Sequence, residues 1–180
     1  AHSYFTVWPV DSQIIKRQRL FSKMQHVNSG TGYWQSEYCI LEKNDEVGQG
    51  NKRDLGMPTA LFVARIIHND LTICNARSWQ WWTALTQFDY KDGLVYLDSG
   101  TEDKPGEMGA DIESLKFDGT ARDSKLMWAL GNYSRFVRPG MQRIKADLSG
   151  ANEKNKNLMV SAFINRDTNE IVMVLVNTGN

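Results

Sequence analysis

The chain has 180 residues, enough for one ordinary domain with its own core. Lys+Arg and Asp+Glu balance at 21 each, which leaves no electrostatic reason to expect nucleic acid or an anionic membrane as partner. No apolar run approaches the roughly 20 residues that a bilayer span needs, and the opening Ala-His-Ser-Tyr-Phe-Thr lacks the basic and apolar regions of a signal peptide.

Residues 3–10 are β-branched and aromatic and read as a strand end or loop. Asp11 or Ser12 then caps a helix expected over about Ser12 to His26. Ile14, Phe21 and Met24 share one face of it, with Lys16, Arg17 and Arg19 largely off that face. The run Asn28-Ser29-Gly30-Thr31-Gly32 stops it. Tyr33 to Leu41 reads as a short apolar strand with one carboxylate, Glu37, inside it. Residues 42–55 are charged and glycine-containing, as surface loops are. Pro58 sits near the first turn of the strongest helix in the chain, on which Met57, Ala60, Leu61, Ala64, Ile67, His68 and Leu71 recur at helical spacing. Ile73 to Trp79 is the next strand. Strand, helix, strand, helix, strand is the order of an α/β fold with parallel strands and crossover helices.

The pattern then changes. Gly93 to Asp98 is a short strand, and residues 99–124 are polar with no clear period. Lys125 to Val137 is helical, with Leu126, Leu130, Tyr133 and Val137 on one face, and Arg138-Pro139-Gly140 ends it. From Gln142 the signal is β. Residues 159–164 and 170–176 form a hairpin, and a lone hairpin is only marginally stable, so it needs further strands.

Glu37 is the residue to explain, because a carboxylate in an apolar strand is costly unless it is paired or lies in a functional cleft. At the carboxyl end of a parallel strand it would face the region where active sites gather. One reading is a glycosidase nucleophile, which needs a second carboxyl group about 5–5.5 Å away. The other is a strand-end Glu in an ion pair, with Arg77 as its partner. His2 and Tyr4 alternate and can share one face, either beside such a carboxylate or as a surface His and a packing Tyr. Six Trp and six Tyr, with Trp79, Trp81 and Trp82 close together, suit either a sugar face or a filled core. Arg77, Trp79 and Trp81 alternate, as do Ser78, Gln80 and Trp82, so only one set can face a cleft. His26 and His68 read as structural or solvent-exposed. Cys39 and Cys74 read as two buried free thiols, with a disulfide as the minority alternative. No His, Cys, Asp and Glu spacing suggests a metal, no glycine-rich phosphate loop is present, and no cofactor is called for.

Three segments carry a resemblance. Ala1-His2-Ser3-Tyr4 is similar to the end of a sixth barrel strand with a His-x-Tyr pattern. Gln35-Ser36-Glu37-Tyr38-Cys39 is similar to a seventh strand carrying Ser-Glu-x-Cys. Leu130-Gly131-Asn132-Tyr133-Ser134-Arg135-Phe136-Val137-Arg138-Pro139-Gly140 is similar to an eighth helix and its exit, and is the most specific of the three. Together they make the chain resemble the C-terminal part of glycoside hydrolase family 30, which includes glucosylceramidase and bacterial xylanases, glucanases and galactanases.

The resemblance implies residues 1–140 as a C-terminal portion of a (β/α)8 TIM barrel, about strand six to helix eight, with an irregular insertion at about 90–124. Residues 141–180 would be part of a β-sandwich side domain. It implies a retaining glycoside hydrolase with Glu37 as nucleophile, and His2, Tyr4, Trp79 and Trp81 as substrate-binding residues. The acid/base Glu of the family follows an Asn on strand four, which nothing here matches. The chain therefore reads as a piece lacking the N-terminal part of the barrel and inactive alone. The implied substrate is a polysaccharide such as a β-1,6-galactan or β-1,6-glucan, and the implied location is extracellular or periplasmic. The competing expectation is a non-catalytic carbohydrate-binding protein with a Trp-lined site.

Overall fold

The computed structural model describes residues 10–28, 30–40, 43, 45–99, 119–149 and 157–179. In chain order these form α1 (Val10–Val27), β1 (Tyr33–Gln35), α2 (Met57–Thr72), β2 (Ala76–Trp79), β3 (Leu85–Thr86), β4 (Val95–Ser99), β5 (Gly119–Asp123), α3 (Lys125–Ser134), β6 (Gln142–Ile144), β7 (Leu158–Ile164) and β8 (Ile171–Asn177). It is a mixed α/β fold.

The centre of the molecule is α2. Ala60, Phe62, Val63, Ala64, Ile66 and Ile67 are all buried, so the helix is apolar around most of its circumference, as a helix enclosed on several sides must be. It packs against α1, β2, α3, β7 and β8. Its start is held by Asp54, whose two carboxylate oxygens accept from the backbone N–H of Gly56 at 2.7 Å and of Thr59 at 3.1 Å. These are donors that a helix N-terminus otherwise leaves without partners. Pro58 stands in the first turn, where its missing N–H removes no bond. On α3, Leu126 and Tyr133 are buried with Leu130 packed beside them, as their spacing predicts, but the helix expected to Val137 ends at Ser134, and Val137 packs on the same core from beyond it. Ser124 caps α3 by accepting from the Met127 N–H.

Three small sheets surround these helices. β1 and β2 pair in parallel across α2, which is the strand–helix–strand crossover expected from the sequence. β3, β4 and β5 form a second sheet, with β3 parallel and β5 antiparallel to β4. β6, β7 and β8 form an antiparallel meander, so the expected hairpin has its third strand.

Three further expectations change. The strand predicted over residues 33–41 ends at Gln35, and Glu37 lies just beyond it. The polar stretch 99–124 contains β5, every residue of which is exposed. Its strand character comes from main-chain pairing to β4 and from the Arg122–Asp98 ion pair at 2.5 Å, neither of which leaves an apolar alternation to read. Arg17, placed off the apolar face of α1, is buried against Asp70 of α2, with Nε 2.6 Å from Oδ1. The remainder of the expected insertion, residues 100–118, and residues 3–9 of the first expected strand end or loop lie outside the described residues, while Val10, expected with them, opens α1.

Candidate functional site

The carboxyl ends of β1 and β2 meet at Glu37. Gln35 pairs with Trp79 across the two strands. Beyond the regular register the contact continues: the Gln80 N–H donates to the Gln35 carbonyl at 2.9 Å, and the Trp82 N–H to the Tyr38 carbonyl at 3.0 Å. The segment Gln80–Trp82 therefore runs alongside Ser36–Tyr38, with half-buried Glu37 between the two anchoring bonds. The Gln35 side-chain amide donates to the Glu37 carbonyl at 2.6 Å, and the Tyr33 hydroxyl donates to Gln35 Oε1. The backbone under Glu37 is thus tied to its own strand and to its neighbour.

The aromatic residues divide between two environments. Trp79 and Trp81 stack at 6.2 Å between ring centroids and 15° between planes, and both lean on the buried Tyr38 ring at 5.9 and 6.0 Å. Trp79 Nε1 donates to Asp70 Oδ2 at 2.9 Å, and Trp81 Nε1 to the Asp92 carbonyl. Both rings are half-buried and pack against the main core cluster. Trp82 and Trp34, by contrast, are 53% and 56% exposed. The alternation in Arg77–Trp82 is thus resolved: Trp79 and Trp81 brace the underside of the β1–β2 ends, and Trp82 belongs to the other, open set. The signal for Trp82 was present in that alternation, but the choice between the sets depended on Asp70, nine residues from Trp79 in sequence and adjacent to it only in the fold.

A buried polar chain supports this arrangement from behind. Arg17 on α1 and Asp70 on α2 are 1% and 0% exposed. Asp70 joins them to Trp79 on β2. Burial raises the Asp70 pKa, against the pull of Arg17 and of the hydrogen bonds it accepts. Burial also pushes the Tyr38 hydroxyl well above the usual tyrosine range. Cys39, two residues after Glu37, and Cys74 are both buried and outside any disulfide, and burial pushes the Cys74 thiol up to about 12, so Cys74 is not set up as a nucleophile.

Of the site residues expected from the sequence, the structure brings Glu37, Trp79 and Trp81 together around Tyr38. His2 and Tyr4 lie outside the described residues. His26 is exposed. His68 is a core-side residue of α2 whose Nδ1 is buried without a hydrogen-bond partner, and burial together with the Arg143 charge lowers it to about 4. Among the described residues no group of three or more His, Cys, Asp or Glu is arranged to hold a metal ion. Among them too, no helix is long and apolar enough to cross a membrane.

Comparison with known proteins bears on this geometry. Residues 1–96 match the model of O-glycosyl hydrolase family 30. The chain is similar to a conserved exported protein from Bacteroides fragilis, at 36% identity and a TM-score of 0.80 over 98% of this chain and 34% of that one. It shares its fold with the catalytic domain of GH30 xylanase C from Talaromyces cellulolyticus, at 23% identity and a TM-score of 0.55 over 83% of this chain and 28% of that one. The same holds for a GH30 endoxylanase from Clostridium papyrosolvens, at 20% identity and a TM-score of 0.55 over 91% and 31% of the two chains. The chain thus spans about a third of the length of these relatives.

Proposed function

This chain belongs to O-glycosyl hydrolase family 30, and from that premise we propose that it forms part of a retaining glycoside hydrolase in which Glu37 is the nucleophile. The observation that carries the reading is the position of Glu37. It stands just past the carboxyl end of β1, beside a parallel β2 and level with the Gln80–Trp82 segment, next in the chain to Tyr38, on whose ring Trp79 and Trp81 pack. Carboxyl ends of parallel strands are where α/β folds collect reactive groups. A carboxylate there can attack an anomeric carbon from one face of a sugar ring and hold it as a glycosyl ester until water releases it.

On this reading β1, α2 and β2 are part of a (β/α)8 barrel extending from about strand six to helix eight, within residues 1–140. The β6–β7–β8 meander, within residues 141–180, is part of a β-sandwich side domain. His2 and Tyr4 line the substrate site with Trp79 and Trp81, the two tryptophans acting through the wall they build behind Glu37. The general acid/base is assigned to none of the 180 residues, so these residues alone turn over no glycoside. The substrate class is a polysaccharide, with a β-1,6-galactan or β-1,6-glucan preferred, and the location is extracellular or periplasmic, in keeping with the exported relative.

The test is Glu37→Gln in the complete protein, together with a 2-fluoro glycoside that traps the glycosyl-enzyme. Loss of the nucleophile lowers kcat by several orders of magnitude, and mass spectrometry locates the adduct on Glu37. Turnover within a few-fold of the parent, or an adduct on another residue, refutes the assignment. Oligosaccharide binding by the parent with no turnover at all supports the alternative of a non-catalytic carbohydrate-binding protein.

A further inference from the structure

Two loops leave the carboxyl ends of β1 and β2. One reaches α2 through residues 45–55, and the other runs on from β2 through residues 80–94. They are bonded to each other at several points. The Lys91 N–H donates to the Gly50 carbonyl at 3.0 Å. The Lys91 ammonium, on a residue only 6% exposed, donates to the Gln49 carbonyl and, at 2.9 Å, to the Lys52 carbonyl. It gathers the carbonyls of one turn as a bound cation would. Arg53 makes the second tie. Its Nε lies 2.6 Å from Asp89 Oδ1 and its Nη1 2.6 Å from Asp98 Oδ1, and its guanidinium stands over the Tyr96 ring at 4.7 Å.

These ties reach Glu37 through the main chain. Asp92, next to Lys91, accepts at its carbonyl from the Thr83 N–H at 2.7 Å and from Trp81 Nε1 at 2.6 Å. Trp82, between those two donors, gives its own N–H to the Tyr38 carbonyl. The segment that follows Glu37 is therefore held at both ends by one stretch of chain, at Tyr38 by Trp82 and at residues 49–53 by Asp89 and Lys91. Burial lowers the Lys91 pKa, against the pull of Asp54 and Asp89. Charges withdrawn from water in this way return little net stability, and fixing one arrangement among several is their better-attested use. The start of α2 is held separately by Asp54, and its core face packs on its own. What Lys91 and Arg53 fix is the backbone that carries Glu37.

We propose that Arg53 and Lys91 are positioning residues for the Glu37 nucleophile: they clip the loop after β1 to the loop after β2 and so hold the Glu37 backbone in one place while its carboxylate attacks. This deepens the glycosidase reading and rests on it for the chemistry. A nucleophile must lie within about 3–3.5 Å of the atom it attacks and in line with it, and a misplacement of about 1 Å can cost on the order of a hundredfold in rate. Side chains that never touch substrate therefore act on kcat through the backbone they fix. The positive charge of Arg53 carries its part of the effect, because it stands between the Asp89 and Asp98 carboxylates.

The experiment compares the complete protein with its Arg53→Met, Arg53→Lys and Lys91→Met variants on aryl glycosides. Active sites are counted by trapping with a 2-fluoro glycoside, so that each rate refers to folded enzyme, and amide hydrogen exchange is followed at Trp82. In Arg53→Met, kcat per trapped site falls at least about tenfold while KM stays within about threefold. The Trp82 amide exchanges at least about tenfold faster. Arg53→Lys, which keeps the charge, recovers most of the lost rate. Lys91→Met behaves as Arg53→Met does, and where it does not fold the two Arg53 variants decide. A purely structural role lowers the melting temperature and the number of trapped sites but leaves kcat per site unchanged, and that result overturns the proposal. A loss confined to KM, unchanged exchange at Trp82, or an Arg53→Lys variant no faster than Arg53→Met overturns it too. In each of these cases turnover by the parent leaves the hydrolase standing. A parent with neither turnover nor trapping removes the hydrolase reading and the positioning role with it.

Discussion

Breaking the Arg17–Asp70 pair tests how the wall behind Glu37 is held. The pair is closed to water, with side chains 1% and 0% exposed and a 2.6 Å contact, and Asp70 also accepts from Trp79 Nε1 at 2.9 Å. Asp70→Leu leaves a buried guanidinium without its carboxylate, which costs about 3–5 kcal/mol, and orphans the Trp79 indole N–H, which adds about 1–3 kcal/mol. Arg17→Met is milder. The carboxyl that remains is already biased towards its neutral form by burial, and it can take up a proton while keeping Trp79. The double variant Arg17→Met/Asp70→Leu removes both charges and leaves the Trp79 indole N–H unsatisfied. It is therefore less destabilised than Asp70→Leu alone, and the coupling energy is at least about 2 kcal/mol. Urea unfolding of the four proteins, with the slope checked for constancy, measures the cycle. Trp79 fluorescence, read against a Trp79→Phe control, reports whether the indole has moved. Additive single effects, or an Asp70→Leu cost below about 1 kcal/mol, would show that the pair does not hold the site.

Two further outcomes follow from buried groups away from Glu37. His68 is lowered to about 4 in the folded chain by burial and by Arg143, below its ordinary 6.5, so the unfolded chain binds the proton more readily. Its neutral form contributes stability that is complete above pH 6.5 and is lost as the pH falls from there towards 4, up to on the order of 3 kcal/mol. His68→Gln flattens that limb of the stability–pH curve, and an unchanged limb in acid titration of the variant refutes the assignment. Gly93 sits where a Cβ would lie 2.4 Å from Thr86 Cγ2 and 2.9 Å from the Tyr96 ring. Gly93→Ala therefore costs about 1–3 kcal/mol of overpacking, and a denaturation midpoint equal to the parent's would show that this loop gives way freely.

How much of this was legible beforehand depends on the kind of interaction. The helices α2 and α3 and the final hairpin follow from apolar periodicity, because each buries a continuous face against the rest of the molecule. The parallel pairing of β1 and β2 follows from the strand–helix–strand order. Glu37 stood out as a carboxylate among apolar neighbours, and the run from Ser36 to Cys39 tied it to a family. β5 was not legible, because a strand held by main-chain bonds with all side chains exposed carries no periodic signal.

The sequence by itself determined which segments become helices and which carboxylate to ask about, since those depend on neighbours along the chain. Only the tertiary structure decided that Arg17 goes inside and that Trp79 and Trp81 brace while Trp82 stays open. Each of these depends on a contact between residues distant along the chain or on what the folded surface leaves uncovered. Burial cost makes such contacts decisive: a charge or indole N–H removed from water must find its partner wherever the fold has placed one.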